Sequence, residues 1–352
     1  MAPRFQVNDA SPIFNLHSQI LSFMQAIYLL NPDAYAKIYG PDERRDLAQL
    51  VDVIAPPQTA ASVAADPSVL ADVEVILSGW GMAVLDEALL AAAPKLRAVF
   101  YGAGSIRYFT TDAMWDRGIV VTSAYAANAV PVAEFTVAAI MMSMKRVWYF
   151  AQAVRAARSF TVRSAVPGMV GSTVGLIGLG TIGRMVAERL QAYDVHVLAY
   201  DPYVDAADAA RLGVTLCGLD DLFARADVVS LHAPWLPQTV GMITGTHLAS
   251  MREDATFINT ARGALVREEE MIAVLQQRPD LYAVLDVTYP EPPVPESPLY
   301  SLPNVVLTPH IAGSLDNECR RMGRTMVEEL ARFIRGEPLQ WAVTRTQAAL
   351  MA

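Results

Sequence analysis

The sequence predicts an α/β protein built from two parallel-sheet domains, one inserted into the other, and three observations carry that expectation. Short apolar or β-branched runs alternate with helical stretches along most of the chain, which is the alternation that builds parallel sheets. A glycine turn, Gly178-Leu179-Gly180-Thr181-Ile182-Gly183, joins one of those runs to a helical stretch. About 170 residues precede the turn and a helix follows the last strand, so the simplest path returns the C-terminus to the first domain.

Taken in order, the first twenty or so residues show no clear period and read as an arm or peripheral segment. Runs at 26–30, 51–54, 73–77, 97–100 and 119–122 read as strands of the first domain. Pro41-Asp42-Glu43 opens one intervening helix, with proline in the first turn and acids at the positive dipole end. From 131 to about 157 one long helix is expected, apolar nearly all round in its first half, as a bridge between domains or subunits. A strand at 173–177, the glycine turn and a helix over 184–191 open the second domain. Further strands at 195–200, 228–232, 255–259, 281–287 and 305–308 make a doubly wound sheet of six or more strands. A last helix over 316–336 stops at Gly336 and Pro338.

The glycine turn carries chemistry. Gly178 lets the chain turn off its strand, Gly180 removes a side chain where a pyrophosphate approaches, and Gly183 lets helix and sheet pack closely. The N–H groups of Thr181 and Ile182 sit at the positive end of the helix, ready for phosphate. Asp201 ends the next strand, 18 residues past Gly183, where a carboxylate accepts from ribose hydroxyls and repels a 2′-phosphate. A bare glycine pattern is weak among 20 glycines, but strand, turn, helix, strand and aspartate together point to NAD rather than NADP.

Composition narrows the partners. With 352 residues, 53% of them hydrophobic and 18% charged, the chain can bury two cores. A net charge of −9 without a basic stripe disfavours nucleic acid and anionic membrane, so anions must be held by placed arginines and backbone N–H groups. Cys217 and Cys319 lack metal-ligand spacing, and no metal is expected. The N-terminus has no signal-peptide pattern and the most apolar stretch, 135–144, is too short to span a bilayer, so a cytoplasmic protein is expected.

Ligands of doubly wound sheets bind at the carboxyl ends of strands. Three strands end in Asn259-Thr260-Ala261-Arg262-Gly263, in Asp286-Val287-Thr288-Tyr289-Pro290-Glu291, and in Thr308-Pro309-His310-Ile311-Ala312-Gly313. Arg262 suits a carboxylate and its neighbouring carbonyl, His310 can move a proton, and Glu291 can fix the imidazole tautomer. Alone, each has a plainer reading: a surface ion pair for Arg262, a solvated acid for Glu291, a strand cap for His310. Asp286 reads either as a turn cap or as a holder of the nicotinamide carboxamide. Their joint occurrence after a dinucleotide turn favours reduction of a 2-oxo acid.

Gly-Leu-Gly-Thr-Ile-Gly, Asn-Thr-Ala-Arg-Gly, Leu-Asp-Val with Glu-Pro downstream, and Thr-Pro-His-Ile-Ala-Gly resemble the D-isomer-specific 2-hydroxyacid dehydrogenases. So do Ser230-Leu231-His232-Ala233-Pro234 with Thr239, and Asn128 six residues before Glu134. The resemblance runs from about Val73 to Leu339. It implies a Rossmann NAD-binding domain over 126–314 inserted into a smaller, flavodoxin-like substrate domain over 1–125, completed by 315–352. It further implies catalysis by Arg262, Glu291 and His310, and a homodimer built on the cofactor domains. Ala103 and Gly104 would hold the substrate carboxylate through their N–H groups, Asn128 would sit beside the substrate, and Glu134 would support the link between domains. His232, Thr260, Ala261, Asp286 and Gly313 would line the cofactor.

One departure leaves the substrate open. Gly104-Ser105-Ile106-Arg107-Tyr108 stands where many relatives carry an aspartate and asparagine. Arg107 is expected in a structural ion pair, with contact to a second anionic group as the alternative; Trp80 reads as packed or as closing over substrate. Glu291 argues against formate dehydrogenases, which pair the histidine with glutamine, and Ala103 stands where phosphite-oxidising relatives carry lysine. The regulatory domain of many phosphoglycerate dehydrogenases is not expected after Gly336. An NAD-sensing, corepressor-like binding protein on the same fold is the alternative function.

Overall fold

The computed structural model describes residues 23–163 and 166–351. Most of the arm expected at the N-terminus lies outside them.

The first sheet contains β1 (Met24–Leu29), β2 (Val51–Val53), β3 (Val75–Ser78), β4 (Ala98–Tyr101) and β5 (Val120–Ser123), all parallel, in the order β2-β1-β3-β4-β5. Its strands alternate between two apolar layers: Ile27, Leu29 and Val99 face one, Ala26, Tyr28 and Phe100 the other. Period-2 side chains that are apolar on both faces need cover on both faces, and crossover helices provide it.

The second sheet contains β6 (Thr173–Ile177), β7 (His196–Tyr200), β8 (Thr215–Leu216), β9 (Val228–Leu231), β10 (Thr256–Asn259), β11 (Tyr282–Leu285) and β12 (Val305–Leu307). It is also parallel, in the order β12-β11-β10-β9-β6-β7-β8. From β6 the chain winds outward through β7 and β8, then returns to start β9 on the other side. The crevice outside the ends of β6 and β9 is therefore the switch point at which such sheets bind ligands.

The helix Cys319–Arg335 lies on the first sheet, with Met322, Met326 and Leu330 in the layer that holds Tyr28, Leu77 and Phe100. Its end is anchored by the buried Glu329, whose carboxylate accepts from the N–H groups of Gln340 and Trp341 at 3.1 and 2.9 Å. The Val343 N–H then donates to Val121 O at 2.8 Å, so the returning chain pairs with β5.

Two expectations about the helical bridge are corrected. The single helix expected over 131–157 is two, Tyr125–Met144 and Val147–Ala157. The first begins six residues before Pro131 and carries that proline inside. An interior proline costs about 3 kcal/mol, and burying Val132, Val137, Ile140 and Met144, each worth about 2 kcal/mol, outweighs it. The break falls at Arg146, whose left-handed backbone (φ 50°) lets its guanidinium reach Asp254 at 2.7 Å and lie over the Tyr149 ring.

The apolar segment is also longer than the ten-residue stretch suggested. At 20 residues, Tyr125–Met144 is long and apolar enough to cross a membrane by length and composition. Here Ala133, Val137, Ile140 and Met144 instead share a core with Val186, Ala187 and Leu190 of the helix Thr181–Leu190, which accounts for their apolar character.

Candidate functional site

The cradle at the switch point comes from the turn after β6. Gly178 adopts φ 94°, and a Cβ at Gly183 would stand 2.0 Å from Gly178 O, so neither position admits a side chain. A Cβ at Gly180 would meet nothing within 4 Å, which leaves open space above the turn. The N–H groups of Gly180, Thr181, Ile182 and Gly183 have no acceptor among the described residues and face that end of the helix. Asp201, at the end of β7, accepts from Leu179 N–H at 2.7 Å and Tyr203 N–H at 2.8 Å. The carboxylate is thereby fixed beside the glycine turn, and Arg184, next in sequence, is committed to Leu179 O and to Asp208. Open space, free N–H donors and a fixed carboxylate fit a dinucleotide's phosphates and adenosine ribose.

His232, one residue past β9, packs directly behind the turn: a Cβ at Gly178 would lie 2.9 Å from its carbonyl carbon. Ser230 Oγ and His232 Nε2 are 3.0 Å apart, while Nδ1 is buried without a partner. Burial of the ring pushes its pKa down to about 4, which keeps this histidine neutral under ordinary conditions.

Along the same edge, three strand ends supply the catalytic candidates. After β10, Asn259 braces its own turn: Oδ1 accepts from Ala261 N–H at 3.0 Å, and Nδ2 donates to Arg262 O at 3.0 Å. Thr260 is buried with its hydroxyl 3.1 Å from that of Thr136 on the long helix. Arg262 is largely enclosed and, among the described residues, forms no ion pair and donates only to Ala261 O at 2.6 Å. Burial pulls the guanidinium below its usual range, opposed by the Glu291 charge, yet arginine stays protonated in proteins.

After β11, the buried Asp286 carboxylate accepts from Thr308 Oγ1 at 2.6 Å and from the N–H groups of Ile311 and Ala312, both at 2.8 Å. Asp286 O also accepts from His310 N–H at 2.9 Å. These contacts describe the capping role of Asp286: it clamps a turn in which His310 adopts a left-handed φ of 54°. Such backbone costs a non-glycine residue on the order of 1 kcal/mol, and it persists where surrounding bonds determine it. The turn presents the imidazole to Glu291, with Nδ1 and Oε1 2.6 Å apart, and both side chains stay nearly half exposed. Bonding at Nδ1 leaves Nε2 for an incoming ligand.

Facing this edge is the loop after β4. Ser123 Oγ donates toward Ala103 O and Gly104 O, 3.0 and 2.6 Å away, so it holds the loop by its carbonyls. The N–H groups of Ala103, Gly104 and Ser105 donate to nothing among the described residues. Asn128 lies between the two halves: Ser314 N–H donates to its Oδ1 at 3.0 Å, and a Cβ on Gly104 or Gly313 would lie 3.5 Å from its side-chain amide. Glu134 is exposed, with no hydrogen bond or ion pair among the described residues.

The structural ion pair expected for Arg107 is absent among the described residues. Its Nη1 instead donates to the carbonyl of Trp235, 2.6 Å away on the loop after β9, which takes the place the carboxylate was expected to hold. Arg107, Tyr108, Trp235 and Arg262 line one pocket of about 500 Å³. Trp80, more than a third exposed, is not part of that wall.

Sequence reading missed Ser123, Asn259 and Trp235 as contributors. All three sit at or just past the carboxyl ends of strands, and the rule that located Arg262 and His310 reaches them if buried polar residues and neighbouring loops are counted too.

Residues 137–312 match the NAD-binding domain of the D-isomer specific 2-hydroxyacid dehydrogenases. The chain is 37% identical over 255 residues to a D-3-phosphoglycerate dehydrogenase of Mycobacterium leprae, covering 72% of this chain but 48% of that protein. The chain thus spans about half the length of the phosphoglycerate dehydrogenases it matches. It is 36% identical over 253 residues to a (S)-sulfolactate dehydrogenase of Chromohalobacter salexigens, covering 71% of this chain and 81% of that one. Among solved structures, an NAD-complexed D-isomer specific 2-hydroxyacid dehydrogenase of Lactobacillus delbrueckii ssp. bulgaricus superposes with TM-score 0.75 at 25% identity, covering 91% of this chain and all of that one.

Proposed function

Because the chain belongs to the D-isomer specific 2-hydroxyacid dehydrogenase family, an NAD-binding family, we propose that it interconverts a D-2-hydroxy acid and its 2-oxo acid. The observation that carries this reading is the His310–Glu291 pair, 2.6 Å apart, on the same sheet edge as an arginine that has no ion pair among the described residues. Bound NAD supplies or accepts the hydride at C2. In the reductive direction Arg262 holds the carboxylate and draws on the carbonyl oxygen, polarising the bond. As C2 takes the hydride, the carbonyl π pair moves onto oxygen and His310 delivers a proton there through Nε2. Glu291 holds the ring by Nδ1 and balances the imidazolium that forms in the reverse direction.

The free N–H groups of Ala103 and Gly104 support a second grip on the carboxylate, with Asn128 beside it. For the cofactor, Gly178, Gly180, Thr181, Ile182 and Gly183 take the pyrophosphate and Asp201 the ribose, while His232, Thr260, Ala261, Asp286 and Gly313 form the floor beneath. We place the domain boundaries at 125/126 and 314/315. A cytoplasmic homodimer completes the proposal. The support for the dimer is the helix Val147–Ala157, which buries no residue in one chain, with Tyr149, Phe160 and Val162 exposed around it.

The test is to follow NADH absorbance with glyoxylate, pyruvate, hydroxypyruvate and longer 2-oxo acids. Oxidation of NADH by at least one, at a rate ordinary for dehydrogenases, is expected. Tight NADH binding with no turnover on any of them would leave a binding protein instead.

A further inference from the structure

Among the described residues Arg107 is one of several arginines with no carboxylate partner, and it shares a pocket with another of them, Arg262. Elsewhere on this acidic chain other arginines are balanced by a carboxylate, among them Arg97 with Glu74, Arg184 with Asp208 and Arg225 with Asp221. Among the described residues Arg107 has a neutral partner, the carbonyl of Trp235. It lines the interdomain pocket together with Arg262, and no aspartate or glutamate shares that lining. Two guanidinium charges bordering one pocket of about 500 Å³ repel each other and are relieved by negative charge between them. A single carboxylate at Arg262 balances only one.

On the basis of the function proposed above, we infer that Arg107 sets substrate choice, and that the substrate is a 2-oxo or 2-hydroxy acid with a second anionic group at the far end of its side chain. The C1 carboxylate goes to Arg262 and the substrate loop, and the distal anion displaces the Trp235 carbonyl from Arg107. That exchange is favourable because a guanidinium bonds an anion roughly twice as strongly as a neutral acceptor. Trp235 and Val240 give the intervening methylenes an apolar wall, and Ser105 adds a polar side chain to the same lining. A carboxylate, sulfonate or phosphate satisfies the same chemistry.

The experiment compares kcat/KM for 2-oxoglutarate, 3-sulfopyruvate and 3-phosphohydroxypyruvate with that for uncharged-tail 2-oxopentanoate. It uses wild type, Arg107→Met and Arg107→Lys, with NADH affinity measured by fluorescence as the check on folding. Wild type should favour at least one dianionic acid roughly 10-fold or more, and Arg107→Met should lower that ratio roughly 10- to 100-fold, with partial rescue by Arg107→Lys. The best of the three charged tails identifies the group. An unchanged ratio in Arg107→Met, both acids losing equally, overturns the inference and leaves Arg107 as a tie between domains. Wild-type preference for 2-oxopentanoate overturns it as well. Turnover without discrimination sinks this inference alone; no turnover with any acid sinks the parent reading and this one together.

Discussion

At the carboxyl edge of the second sheet, the Asp286 carboxylate takes three hydrogen bonds from the His310 turn and Asn259 makes two within the Arg262 turn. At the corresponding edge of the first sheet, the loop from Ala103 to Tyr108 is held by the Ser123 hydroxyl, by the buried Ala103 and Ile106 and by the Tyr108 hydroxyl, which accepts from Met82 N–H. Yet it leaves the N–H groups of Ala103, Gly104 and Ser105 free among the described residues and exposes the Arg107 side chain. Both edges follow the same strand-end rule, yet one turns its polar groups inward on its own backbone and the other leaves backbone donors free among the described residues. The difference separates two tasks. Moving a proton needs a donor held to within a fraction of an ångström, whereas choosing among acids needs a surface that the acid itself completes.

The comparison breaks most visibly at His310. His310→Asn should lower kcat roughly 10²- to 10⁴-fold while NADH affinity holds; near-normal kcat would remove His310 from the mechanism. Arg262→Lys should come next, raising KM for the oxo acid and lowering kcat together, because an ammonium has no planar fork to grip carboxylate and carbonyl at once. If NADH binding falls as much as turnover, Arg262 is a structural residue.

At the cofactor end, Asp201→Ser combined with Tyr203→Arg should shift kcat/KM from NADH toward NADPH, since one change removes repulsion and the other supplies attraction. A wild type that already prefers NADPH would undo the assignment of Asp201 to the ribose. A smaller effect is expected on the loose edge. Ser123→Ala removes a buried hydroxyl and should cost about 1 kcal/mol of stability, raising KM more than it lowers kcat. A pure kcat effect would erase the distinction between the edges.

His232 offers a pH readout. Its folded pKa lies below that of the unfolded chain, so as pH falls from about 6.5 toward about 4 the unfolded state takes up a proton that the folded state refuses. Stability is full above that window and is lost on acidification through it. In His232→Gln the fall in Tm across this window should shrink relative to wild type; an identical pH profile would show that the ring is solvated in both states.

Much of this was readable in the chain. The parallel strands of both domains announced themselves as apolar runs, and the glycine turn, Asp201, Arg262, Glu291 and His310 all lay where strand-end logic puts them. The two-residue β8 is too short to carry a period. The start of the long helix was hidden because a proline usually marks a first turn, and only burial of its neighbours tells that Pro131 is interior. Arg146 breaks that helix for a partner more than a hundred residues away, and Arg107 meets a carbonyl across the cleft. Pairings of that kind exist only once the domains are assembled, so no local pattern announces them.

Asn128 and Ser314 deserve to be seen as a fixed point. The chain passes from the first sheet to the second near the former and back near the latter, and the two passages are joined by a bond of 3.0 Å. Two adjacent tethers restrain sliding of one body over the other while leaving rotation comparatively free, as paired pins do for a door. A swing about this line that opens the cleft would have to break the bond between Arg107 and the Trp235 carbonyl, which spans it.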